Sequence, residues 1–149
     1  MQRHGVRMVD ISEKNNVVRV AVASGKLKLK SSTIEQIKTK AIKKGDVLSC
    51  AETAAILAVK KTPEVIPLCH YISIDAVTVD FTLEEAEIKA VVTVKSVGKT
   101  GVEMDALCGV SIALLTIWDM VKPVEKDDTG NYPHTRIEEI RVDKKEKRV

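Results

Sequence analysis

The segment VIPLCHYISI, residues 65–74, sets a thiol beside an imidazole at Cys69 and His70. The pair has several chemical readings: a nucleophile with its base, half of a metal site, or a buried cysteine next to an incidental histidine. A further reading has His70 facing a pocket, donating to an anion or exchanging a proton. If a strand begins here, adjacent side chains point to opposite faces. The nucleophile–base pair and the shared metal then both require a local kink. Zinc also wants four ligands, and the other histidines, His4 and His134, fall in terminal or loop segments. No metal site is therefore expected.

A second candidate is Asp119 in IALLTIWDMV. A carboxylate near the C-terminal end of an apolar helix opposes the helix dipole. Its apolar neighbours imply partial burial and a raised pKa, the mark of a functional acid. Lys122, at i+3, is a natural partner, and a plain surface Asp–Lys pair is the competing reading. The stretch VGKTGVEMDA, residues 97–106, is no Walker A motif, because Thr93 stands where that motif needs glycine. It is a glycine turn opening a helix, whose N-terminus offers free N–H groups. Glu103 and Asp105 suit that first turn as structural caps. Lys44, in KKGD before another helix start, is the lysine best placed to hold an anion.

These residues need elements to carry them. VVRVAVASGKLKLK (17–30) gives two alternating runs with a bend or hairpin at Ser24-Gly25. Ser31-Ser32-Thr33 offers an N-cap for a helix reaching about Lys43. Asp46 caps a second helix with a small apolar face to about Lys60. Residues 70–82 and 87–97 alternate as an antiparallel hairpin. A long aliphatic helix from Val102 to Val121 ends at Pro123, and RIEEIRVD (136–143) forms a short strand before a solvated KKEKR tail. The order predicts an α+β fold, a ferredoxin-like antiparallel sheet with helices packed on one face. The chain reads as one domain over 1–149, with 1–7 and 146–149 as flexible ends; Met8 is an alternative start. Glu103 and Asp119 share one helix but lie sixteen residues apart, roughly 24 Å. One reacting centre cannot touch both, so either one is structural or sites are shared between subunits.

Composition excludes several classes. Aromatics are 3% and the net charge is +3, which supports neither a nucleic-acid binder nor, with no 18-residue apolar run, a membrane protein. Three widely spaced cysteines without a C-x-x-C pair fit free thiols in a cytoplasmic protein.

Together MVDIS (8–12), KKGDVLSCAETAAILAVKKTPEVIPLCH (43–70), GKTGVEMDAL (98–107) and LLTIWDMVKPVEKD (114–127) resemble the cyclic pyranopterin monophosphate synthase family, also called molybdenum cofactor biosynthesis protein C. The resemblance implies a ferredoxin-like subunit in a homohexamer, a trimer of dimers with sites at the dimer interface. It implies a lyase converting (8S)-3′,8-cyclo-7,8-dihydroguanosine 5′-triphosphate to cyclic pyranopterin monophosphate and pyrophosphate. By the same resemblance Asp119 and Lys122 are catalytic, and Lys44, Leu68, Cys69, His70, Glu103, Met104 and Lys145 bind substrate. No cofactor is expected, although Mg²⁺ can accompany the triphosphate. Family members commonly end in a K-x-G-G-K-S-G-like loop. Here VDKKEKRV replaces it, leaving closure over the phosphates, and Lys145 with it, open. The competing class is a non-catalytic oligomeric scaffold that keeps the fold.

Overall fold

The computed structural model describes residues 4–149; the part of the expected flexible extension at residues 1–3 lies outside them. The elements are β1 (Val17–Lys28), α1 (Ser31–Lys38), α2 (Val47–Lys60), α3 (Thr62–Val65), β2 (Ile74–Leu83), β3 (Glu87–Gly98), α4 (Glu103–Glu125) and β4 (Arg136–Arg148). The four strands form one antiparallel sheet in the order β2-β3-β1-β4. This is the ferredoxin-like α+β arrangement, with the first crossover expanded into three helices.

Alternation explains the layers. Ala21, Ala23 and Leu27 of β1, with Ile88, Ala90, Val92 and Val94 of β3, are buried on one face of the sheet, as a period of two demands. Against that face lie Val110, Leu114 and Ile117 of α4 in the same core cluster. The small face of α2, Ala51 and Ala55, is also buried. Gly109 permits the close approach of α4 to α2 and the sheet: a Cβ there would sit 2.9 Å from Val59 Cγ2 and 3.1 Å from Val92 Cγ1.

Several boundaries differ from expectation. VVRVAVASGKLK is one continuous strand, not a hairpin; the irregularity read at Ser24-Gly25 is a register shift against β4. α1 ends at Lys38, before a left-handed Lys40 (φ +58°). Its N-cap is Lys30, without a side-chain cap. The capping acceptor comes from α4 instead: Glu125 Oε2 takes the Lys30 N–H at 3.1 Å and the Thr33 hydroxyl. β2 starts only at Ile74, so Cys69 and His70 stand in coil. α4 runs through Pro123 to Glu125, and β4 continues to Arg148 where a solvated tail was expected. α4 is long and apolar enough to cross a membrane by length and composition alone, but more than half of that stretch is buried inside the fold. In this fold it is the core helix.

Candidate active site

Two clusters of polar side chains sit at opposite ends of α4. The first surrounds its N-terminus. After α3 the chain passes through Leu68, Cys69 and His70 as coil, across a cleft of about 510 Å³ also lined by Thr100, Glu103, Met104 and Asp105. The other wall is the N-terminal segment, including Arg7, Val9 and Asp10. His70 Nε2 lies 2.6 Å from the Val9 carbonyl. A carbonyl only accepts, so Nε2 is the donor in this bond. Because no strand alternation applies, Cys69 and His70 line the same cleft rather than opposite faces.

Glu103 Oε1 takes the Lys145 ammonium at 3.2 Å. Its Oε2 is buried and has no hydrogen-bond partner among the described residues, an arrangement that suits a donor brought by a ligand. Gly101 makes room for this: a Cβ there would collide with Glu103 Oε2 and come within 3.0 Å of Lys145 Cε. Asp105 is only 5% exposed. Burial, with the charge of Glu103 adding to it, pushes its carboxyl up to about 6. Burial, then the charge of Asp105, also raises the Cys69 thiol. Cys69 is thus held as the neutral thiol, which makes it a poor nucleophile.

The second cluster lies sixteen residues along the helix, roughly 24 Å away. Asp119 Oδ2 meets Lys44 Nζ at 3.0 Å and Oδ1 meets Lys122 Nζ at 3.0 Å. The Asp119 side chain is 56% exposed, not partly buried. Its pKa is lowered, by the hydrogen bond from Lys44 first and that from Lys122 second, which reverses the rise expected from the sequence. Asp119 therefore rests as an anion between two cations. Pro123 contributes to the grip. A proline has no N–H for the carbonyl four residues back, which here is that of Asp119, and Lys44 Nζ donates to that oxygen at 3.2 Å. Lys44 is aimed by the turn before α2. Gly45 adopts φ +116°, a conformation costly for other residues, while Asp46 caps α2 through Ser49 N at 3.1 Å. Trp118 and Tyr132 complete the wall of this cleft.

The model of the MoaC family matches residues 8–148. The chain belongs to the MoaC family. It is 60% identical over 136 residues to a probable cyclic pyranopterin monophosphate synthase of Methanosarcina acetivorans, covering 91% of this chain and 86% of the relative. It is 61% identical to a protein of the same name from Methanococcoides burtonii, covering 94% and 88%. It is 58% identical to a probable cyclic pyranopterin monophosphate synthase accessory protein of Methanothermobacter thermautotrophicus, covering 96% and 90%.

In this MoaC-family chain the nine expected site residues divide between the clusters. Leu68, Cys69, His70, Glu103, Met104 and Lys145 gather at the start of α4; Lys44, Asp119 and Lys122 gather at its end. Lys145 reaches its place from within β4, paired with Ala21, rather than from a glycine loop. Sequence reasoning passed over Asp105 as a structural cap, because a first-turn acid looks the same whether solvated or buried. It also passed over Arg7, Asp10 and Tyr132, which reach their clefts by tertiary folding. Among the described residues, no group of three or more His, Cys, Asp and Glu side chains is arranged to hold a metal.

Proposed function

We propose that this chain is a cyclic pyranopterin monophosphate synthase of molybdenum cofactor biosynthesis. It converts (8S)-3′,8-cyclo-7,8-dihydroguanosine 5′-triphosphate to cyclic pyranopterin monophosphate and releases pyrophosphate. The observation that carries this reading is the Asp119 carboxylate clamped at 3.0 Å by both Lys44 and Lys122. Closing the cyclic phosphate requires a hydroxyl oxygen to attack the α-phosphorus while the bond to pyrophosphate breaks. The hydroxyl proton needs an acceptor and the leaving group needs cations. An ionised Asp119 supplies the acceptor, and the two lysines supply the charge. As phosphate oxygens draw the ammonium groups away, Asp119 becomes the stronger base.

The other cluster supplies what the first lacks. His70, Lys145, the unpartnered Glu103 oxygen and the Leu68 and Met104 side chains can hold the rest of a large substrate. Both clusters serve one substrate when subunits assemble so that the end of one α4 faces the start of another. A homohexamer built as a trimer of dimers, with sites at the dimer interface, satisfies this. The enzyme works in the cytoplasm without a resident cofactor, and any Mg²⁺ arrives with the triphosphate.

The deciding experiment is incubation of purified protein with the cyclised triphosphate and mass detection of the pterin and pyrophosphate. Formation of both supports the assignment. A well-folded protein that makes neither rejects it in favour of an accessory role, the second reading. The glycine-free C-terminus and the name of the Methanothermobacter relative favour that reading.

A further inference from the structure

The loop between α4 and β4, residues 126–135, is built more firmly than a connection needs. Asp127 Oδ1 accepts from Thr129 N at 2.9 Å, Thr129 Oγ1 at 2.6 Å and Asn131 N at 3.0 Å. Asp127 N donates back to the Asn131 carbonyl at 2.8 Å, and Gly130 supplies the positive φ of +83° that the turn requires. At its far end the Thr135 hydroxyl donates to the buried Glu125 Oε1 at 2.6 Å. What this frame delivers is Tyr132. Its ring packs edge-to-face on Trp118, with centroids 5.3 Å apart and planes at 74°. The chain has four aromatic residues, and two of them meet beside Asp119 and Lys122 in one shallow, open surface recess. Asp119 holds the Lys122 ammonium above its usual value. Edge-to-face packing occupies one face of one ring only, so aromatic surface remains for a ligand.

We propose that Tyr132, with Trp118, forms an aromatic wall that contacts the flat heterocycle of the substrate and selects for it over a bare polyphosphate chain. This rests on the reading of the Asp119 cleft as part of the substrate site. The lysines recognise charge and attract any triphosphate. The aromatic pair supplies the part of recognition that charge cannot.

Trp118 is the sole tryptophan, so its emission reports directly on this cleft. The test titrates wild type, Tyr132→Phe and Tyr132→Ala with the cyclised nucleotide triphosphate and, separately, with inorganic triphosphate. Expected is a Kd for the nucleotide weakened about tenfold in Tyr132→Ala and within about twofold in Tyr132→Phe. Inorganic triphosphate should bind all three proteins alike. An unchanged nucleotide Kd in Tyr132→Ala overturns the proposal. Equal weakening for both ligands also overturns it, because Tyr132 would then be acting through the lysines. Product formation by wild type, measured in parallel, reads the synthase assignment independently of either result.

Discussion

In the proposed reaction Asp119 serves as the base because the residues that lower its pKa, Lys44 and Lys122, are also the ones a phosphate would attract. Asp119→Asn keeps the size and one acceptor but removes the charge. Turnover should fall by about two to three orders of magnitude, with the Kd for the cyclised triphosphate changed only a few-fold; near-normal kcat with intact binding would show that Asp119 is not the base. Asp105 predicts a different effect. Its carboxyl is raised to about 6 by burial and by Glu103, from an ordinary 3.8, so the folded protein binds that proton more tightly than the unfolded chain. The stabilisation is fully present below about pH 4 and is lost as pH rises through about 6. Asp105→Asn should therefore gain about 2–3 kcal/mol over wild type at pH 8, with little gain at pH 4, measured by urea unfolding. An equal gain at both values would reject the buried charge as its cause. The two acids show what a sequence discloses at this scale. Asp119 was legible because it breaks a local rule, a carboxylate at the negative end of an apolar helix. Its environment was not, because Lys44 lies 75 positions away in the chain. Asp105 obeys a local rule, and nothing in VEMDA shows that α2 and α3 pack over it.

Elements were most legible where periodicity ran unbroken and least where a distant residue set a boundary. The hairpin of β2 and β3 and the N-cap of α2 at Asp46 could be read directly. α1 could not, because its cap is Glu125, on another helix. Glu125 is 1% exposed and ties together the start of α1, the end of α4 and Thr135 just before β4. Glu125→Ala strands these donors in the interior and should cost about 3 kcal/mol. Glu125→Gln, which retains a carbonyl acceptor, should cost roughly half of that. Urea unfolding of both variants checks the order, and equal losses would mean that shape rather than hydrogen bonding matters at this junction. Pro123 was read as a stop because proline usually ends a helix. In the last turn it costs little, and its missing N–H leaves the Asp119 carbonyl for Lys44.

At the scale of the whole molecule, the proposed synthase needs assembly to bring the two separated clusters onto one substrate. Mixing Asp119→Asn subunits with His70→Ala subunits places both lesions in half of the sites of a mixed dimer and none in the other half. If sites are shared across the interface, an equal mixture of two inactive proteins, unfolded and refolded together, should recover about a quarter of wild-type activity. Recovery near zero would place each complete site within one subunit. The assembly also bears on α4 in a way that the isolated fold does not. One residue inserted between Glu103 and Asp119 would turn Asp119 about 100° around the axis and advance it about 1.5 Å. A loop elsewhere could absorb the added length. Within α4 the same turn that moves Asp119 would carry Met120 and Val121 off the buried face. In the proposed assembly the spacing between Glu103 and Asp119 is a ruler whose length the neighbouring subunit sets, and evolution can then lengthen the loops around α4 far more freely than α4 itself.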